Sequence, residues 1–423
     1  MEKDVAQLGN GKRPLKMMST AMKNNIREQL INMARITGEK YHELEHIGVL
    51  GGQAGVALFQ FHCAKYFDDD TYSEKGVEII GSCIEKINEG YAYPTYCNGI
   101  AGFGWTLQHL IDHEFIDLNL DELLAPFDQY LLNQMLFEFN DKYYDLLHGA
   151  LGYGMYFLKR LNSTKTAKEN KRTYHGYLVQ LLDHLEKMAI ADGQGLKWES
   201  VLNVQEGNKG FNLSLSHGMS SIVYILSKMY HSLVEKQRIG RLVKGAVQYI
   251  KQHQRTNVEG LSLFPSWIEP QLSITYNSRL AWCYGDIGVG KAMEWAAEVL
   301  DDNALKQEAK NILVATSERK APQSTMVKDA GYCHGSFGNA HIFHQLGTAY
   351  NEQQFLETAS FWLKDGLTRN TGDNNQPYRQ WNAKDQQWRF ELTLLEGVSG
   401  IGLSMIDFLS EKENTWDECL LLR

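Results

Sequence analysis

The sequence predicts an all-helical fold in which seven helix pairs close into an α/α toroid, an outer ring of helices around an inner one. Three observations carry this reading. Seven segments repeat a turn of the form polar–Gly–x–small–Gly, each running into a short apolar stretch. Longer amphipathic stretches separate the turns. The 37 glycines stand against only 7 prolines, so glycine marks turns while little interrupts helices. The first glycines of the turns are Gly52, Gly99, Gly149, Gly218, Gly285, Gly335 and Gly397, spaced 47 to 69 residues apart. The last position of the turn is glycine throughout except for Ser221 in the fourth.

The stretches after the turns, such as 56–67, 155–161, 221–230 and 401–409, are apolar nearly all round, as inner helices buried on both sides must be. The intervening stretches are 20–46, 73–90, 119–139, 170–190, 235–254, 303–320 and 353–369. They place apolar residues at i, i+3 and i+4 with charge on the other face, which puts them outside. An open helical stack needs polar capping repeats, whereas the first and last turns here look like the middle ones, which favours closure. Three inserts, Trp198 to Phe211, Leu261 to Tyr276 and Asn370 to Phe390, read as short β-ribbons or loops rimming one mouth. Residues 1–18 read as a loose polar tail, with 19–423 forming one toroid domain.

Composition excludes several classes of function. With 42 Lys and Arg against 51 Asp and Glu the net charge is −9, and no basic run exceeds two residues, so the footprint of a nucleic-acid binder is missing. No 18-residue apolar run exists to cross a membrane, and the polar N-terminus does not read as a secretory signal. Six cysteines without close pairs, in a chain this long, point to a reducing cytoplasm and to free thiols or metal ligands.

The repeat places chemistry in rings. The residue before each first glycine is, in order, Gly51, Asn98, His148, His217, Tyr284, His334 and Glu396. One position earlier stand Leu50, Cys97, Leu147, Ser216, Cys283, Cys333 and Leu395. Cys283 and Cys333 are equivalent positions of adjacent repeats, and His334 follows Cys333. Two thiolates and one imidazole suit Zn²⁺ and leave a fourth position for substrate; the same cysteines also read as small buried apolar residues. Cys97 lies three repeats away and is left out. His217, with Asp145 one turn before His148, is a candidate proton shuttle; a histidine that caps a helix fits equally. His42-Glu43-Leu44-Glu45-His46 matches a zinc-protease helix only by coincidence, because it ends at a polar helix terminus with no third histidine at the spacing such proteases use. The stretch from Gly285 to Lys291 matches a phosphate loop but lacks the hydroxyl and the preceding strand, and is the fifth repeat.

These residues give the chain a resemblance to the lanthionine synthetase C-like (LanC) cyclases over roughly residues 45–410. It rests on Ser278-Arg279-Leu-Ala-Trp282-Cys283-Tyr284-Gly285, Gly331-Tyr-Cys333-His334-Gly335, Leu215-Ser216-His217-Gly218 and Tyr144-Asp145-Leu-Leu-His148-Gly149. The resemblance implies an α/α toroid and one zinc held by Cys283, Cys333 and His334. It implies Asp145 and His217 as acid–base residues, Arg279 as a stabiliser of developing negative charge, and Trp282, Tyr284 and His148 as residues facing substrate. The implied reaction adds cysteine thiolates of a precursor peptide to its dehydroalanine and dehydrobutyrine residues, forming (methyl)lanthionine rings. The implied partners are a dehydratase and an export transporter, in a cytoplasmic complex peripheral to the membrane. A related reading joins glutathione or another thiol to dehydrated residues of proteins. A toroidal glycoside hydrolase would need paired carboxylates, for which only Glu396 and Asp145 are available, and would leave the thiols unexplained. A non-enzymatic scaffold would tolerate loss of the ring residues.

Overall fold

The computed structural model describes residues 18–203, 207–256, 261–411 and 413–423. The expected N-terminal tail lies outside these except for Met18. In chain order the helices are α1 (Thr20–Lys40), α2 (Gln53–Phe67), α3 (Asp70–Asn88), α4 (Ile100–Asp112), α5 (Leu120–Asn140), α6 (Ala150–Asn162), α7 (Lys168–Met188) and α8 (Met219–Ser232). They continue as α9 (Lys236–Gln252), α10 (Asp286–Leu300), α11 (Asn303–Ser317), α12 (Pro322–Thr325), α13 (Ser336–Tyr350), α14 (Gln353–Thr368) and α15 (Val398–Leu409). Every one of the seven glycine turns opens an inner helix (α2, α4, α6, α8, α10, α13 and α15), and the seven amphipathic stretches form the outer ones. In α2 every residue from Gln53 to Cys63 is buried, whereas in α9 burial falls on Ile239, Leu242, Val243, Ala246 and Ile250, one helical face.

Three of the outer helices begin on side-chain caps: Ser19, Asp69 and Asp302 accept backbone N–H groups of the first turns of α1, α3 and α11. Inner helices begin on the glycines, which offer no such oxygen. In α2, α4, α6, α13 and α15 the first N–H turns back instead to the carbonyl six residues before the first glycine, as in Gln53 N to His46 O (3.0 Å), Ile100 N to Tyr93 O (2.9 Å) and Ser336 N to Asp329 O (3.1 Å). The tightness of this loop explains the last glycine of the turn: a Cβ on Gly338 would stand 1.8 Å from the Tyr332 carbonyl oxygen.

Closure is visible in two places. Helix α15 packs back on α2, and α1 packs on α15, so the first outer helix completes the last pair. The residues two before the first glycines also link repeat to repeat through their backbones. Leu395 N donates to Leu50 O (2.9 Å), Leu50 N to Cys97 O (3.1 Å), Cys97 N to Leu147 O (2.9 Å), Ser216 N to Cys283 O (3.3 Å), Cys283 N to Cys333 O (3.4 Å) and Cys333 N to Leu395 O (2.8 Å). Among the described residues only the step from Leu147 to Ser216 lacks this bond; the Leu147 N–H goes to Asp145 Oδ1 instead, at 2.7 Å.

The structure has three small antiparallel sheets among the described residues. Strands β1 (Ile190–Asp192) and β2 (Gly195–Lys197) make a hairpin between the outer stretch 170–190, whose helix α7 stops at Met188, and the first expected insert; the chain turns at Gly193, φ 58°. Strands β3 (Ser200–Asn203), β4 (Asn208–Asn212) and β5 (Trp267–Ile268) join two of the expected inserts into one sheet, with Asn212 opposite Trp267. The third insert supplies β6 (Gln380–Asn382) and β7 (Gln387–Arg389). Among the described residues no helix is long and apolar enough to cross a membrane.

The middle of the inner ring is filled by the chain itself. Trp416, Cys419, Leu420 and Leu421 are fully buried, and the segment is held by Tyr96 OH on Cys419 O (3.2 Å), Tyr224 OH on Arg423 O (3.2 Å) and the Trp282 indole N–H on Leu420 O (2.7 Å). Three stability measurements test this architecture. Gly338→Ala is expected to lower stability by about 2 kcal/mol or more in denaturant unfolding, through forced backbone movement. Gly240→Ala, in α9 with open space around its Cα, is expected to raise it by up to about 1 kcal/mol. Trp282→Ala is expected to cost about 3–5 kcal/mol, far more than Trp282→Phe.

Candidate active site

Because the repeats close on themselves, the residues just before the first glycines converge on the open mouth. One ligand atom each from Cys283, Cys333 and His334 lies within 4.8 Å of the other two. Both cysteines are buried and His334 is partly so, its Nε2 3.5 Å from Asp329 Oδ2. Asp329 is itself fixed by the backbone N–H groups of Gly331 (2.9 Å) and Trp381 (3.2 Å), so the ring of His334 is oriented from behind and its other nitrogen is left for the sulfurs. Burial presses on the His334 imidazolium, but Asp329 and Cys283 outweigh it and push its pKa up to about 10. The S–H of Cys333, then His334 and Arg279, draw the Cys283 thiol well below its ordinary value, while the neighbouring Cys283 sulfur and burial push Cys333 well above. Two sulfurs and a carboxylate-backed imidazole form a donor set that fits zinc.

Across the mouth, His217 Nδ1 meets Asp145 Oδ2 at 2.5 Å. The other oxygen of Asp145 accepts from Leu147 N (2.7 Å) and His148 N (2.8 Å), so one carboxylate both caps the third turn and reaches the fourth. Burial works against the Asp145 charge, but His217 and the backbone N–H groups prevail and lower its pKa. For His217, burial favours the neutral ring, Asp145 favours the cation, and the outcome is a raised pKa. The Tyr284 ring lies 5.8 Å from that of His217 and 5.9 Å from Trp267, and since Tyr284 follows Cys283 it spans from the thiols to the Asp–His pair. The charge of Cys283 also reaches His217.

The mouth therefore brings together Cys283, Cys333, His334, His217, Asp145 and Tyr284. Arg279 is half-buried, makes no hydrogen bond or ion pair among the described residues, and places its charge near both sulfurs. His148 lies beside Asp145 and His217; its Nδ1 is buried without a partner, and burial lowers its pKa. Trp282 is a correction. It does not face the mouth: its side chain is fully buried and points into the barrel, where it holds the C-terminal segment. Asp329 and Trp267 were not singled out from the sequence. His42 and His46 do not share a helix, for residues 41–43 form a single 3-10 turn and His46 stacks on Tyr93.

These positions can be set beside known proteins. The model of the lanthionine synthetase C-like protein family matches residues 47–421. The Glutathione S-transferase LANCL1 of Danio rerio is 25% identical over 307 residues, 70% of this chain and 68% of that protein. Among solved structures, a nisin cyclase superposes with a TM-score of 0.73 at 17% identity, over 94% of this chain and 98% of that one, a likeness of fold. With the family model covering nearly all of its length, the chain belongs to the lanthionine synthetase C-like family.

Proposed function

We propose that this protein is a thioether-forming cyclase that adds cysteine thiolates of a dehydrated precursor peptide to its dehydroalanine and dehydrobutyrine residues, closing (methyl)lanthionine rings. One observation carries the reading: a three-ligand Cys₂His set and an Asp–His pair face the same mouth, with Tyr284 between them. Bound there by Cys283, Cys333 and His334, zinc would favour the thiolate form of the substrate cysteine. Sulfur adds to the β-carbon, the alkene electron pair moves toward the α-carbon and carbonyl, and the enolate must then be protonated. His217, kept cationic by Asp145, is the acid suited to deliver that proton, and the unpaired guanidinium of Arg279 suits the developing charge. His148 and Tyr284 would border the peptide. A dehydratase must act first, and an export transporter would take the product; we place all three in the cytoplasm, at the membrane's inner face.

A second reading is favoured by the name of the Danio rerio relative: external glutathione, rather than a cysteine of the same peptide, supplies the thiol. Incubation of a dehydrated, cysteine-containing peptide with and without glutathione separates the two. Ring closure consumes the thiol without changing mass, whereas transfer adds the mass of glutathione.

Cys283→Ala or Cys333→Ala is expected to lose one equivalent of bound zinc in metal analysis at near-native helical content, whereas His42→Ala keeps it. Full zinc in both cysteine variants would remove these ligands. His217→Asn should retain zinc and peptide binding but close rings about 10²–10⁴-fold more slowly, measured against the uncatalysed rate. The pH profile adds a signed test. An acid works while protonated, so activity falls as pH rises through the raised pKa of His217. Asp145→Asn removes the charge that raises it and should move this falling limb to lower pH; an unmoved limb would take the proton transfer away from His217.

A further inference from the structure

At the other end of the inner ring, away from the thiols, α4 finishes with His109 and His113, the latter its C-terminal cap residue. Four residues apart, they share one helix face. Glu418 of the C-terminal segment reaches toward both, and one ligand atom from each of the three lies within 4.8 Å of the others. His109 Nδ1 is 3.5 Å from Glu418 Oε2, and His113 Nε2 is 3.8 Å from Oε1. These separations are long for hydrogen bonds, yet close to the edge of about 3.3–3.6 Å between ligands held at about 2.0–2.2 Å around a tetrahedral ion.

His109 supplies an independent sign. It is fully buried, its ring is clamped at 5.0 Å against Trp105, and neither nitrogen has a hydrogen-bond partner. Buried polar groups are rarely left so. A cavity of about 290 Å³, lined in part by Trp105, Asp112, Lys159 and Glu418, borders the cluster on its carboxylate side.

We propose that His109, His113 and Glu418 form a second divalent-metal site, suited to Zn²⁺, that fastens the C-terminal segment to α4. Two contacts compete with an ion. Lys159 Nζ stands 2.8 Å from Glu418 Oε2, and the Thr415 hydroxyl is 3.0 Å from His113 Nε2. Lys159 also lies 3.3 Å from Asp112 Oδ2, which can keep it when the ion takes Glu418. The site is therefore expected to bind zinc more weakly than Cys283, Cys333 and His334.

Equilibrium dialysis of the full chain against Zn²⁺, followed by metal analysis, tests the proposal. The wild type should hold about two equivalents. The variant Cys283→Ser/Cys333→Ser should keep about one, which Glu418→Gln, nearly isosteric, should weaken at least about tenfold. Co²⁺ in the Cys283→Ser/Cys333→Ser variant should show the visible bands of a tetrahedral nitrogen–oxygen site without thiolate charge transfer. A folded cysteine variant that binds neither ion, or a Glu418→Gln chain that holds as much zinc as its parent, would overturn the proposal. Two equivalents retained without the cysteines would instead refute the thiol site and leave this one to be decided by Glu418→Gln.

Discussion

The architecture depends on the backbone belt that ties repeat to repeat two residues before each first glycine. Each bond is worth only about 0.5–1.5 kcal/mol, but its geometric effect is larger, since it sets seven loops around one circle at one end of the barrel. The belt has a gap among the described residues, between Leu147 and Ser216, and Asp145 occupies it. The carboxylate replaces the missing backbone acceptor with one oxygen and meets His217 of the next repeat with the other. A residue that only capped the turn would need a single acceptor, as the Ser214 hydroxyl offers the His217 N–H at 3.1 Å. The second oxygen is what aspartate adds.

Charge buried at such a mouth must be matched, because an unpaired ion in a low dielectric is costly. The site meets this condition in pairs: Asp145 with His217, Asp329 with His334, and the Cys283 sulfur with His334 and Arg279. Asp145 with His217 and Cys283 with His334 each join neighbouring repeats, so those charges are matched only when the neighbouring repeats have packed.

The fold was legible because the sequence repeats. The glycine turns fixed how many helices there are and in what order, and periodicity told inner from outer. The convergence of Cys283, Cys333 and His334 followed from their equivalent positions. What was not legible depends on direction rather than position. Trp282 belongs to the same motif as Cys283, and nothing in the order of residues says that its indole turns inward to Leu420. The C-terminal plug was hidden for the same reason, since 413–423 carries no turn of the repeat. Asp329 had a signal that went unread. Six residues before the first glycines stand His46, Tyr93, Tyr143, Asn212, Arg279, Asp329 and Glu391, a further ring of polar residues at the same mouth. The β1–β2 hairpin follows from the two-residue loop Gly193-Gln194, whose first residue takes a positive φ that glycine adopts readily.

The fifth turn shows how one short stretch serves both ends of the barrel. Trp282 goes down into the C-terminal segment, Cys283 goes across to Cys333 and His334, and Tyr284 goes over to His217 and Trp267. The stretch ends on Gly285, whose φ of 91° is positive, where the glycines opening the other six inner helices lie between −107° and −143°. An L side chain is disfavoured there, and its Cβ would also stand 2.6 Å from the Arg279 carbonyl oxygen. The glycine that looks like one of seven is thus the one whose conformation itself favours glycine. Because Trp282 anchors the same stretch in the core, the position of Cys283 is set by packing rather than by a mobile loop, as a ligand that must meet a partner from the next repeat demands.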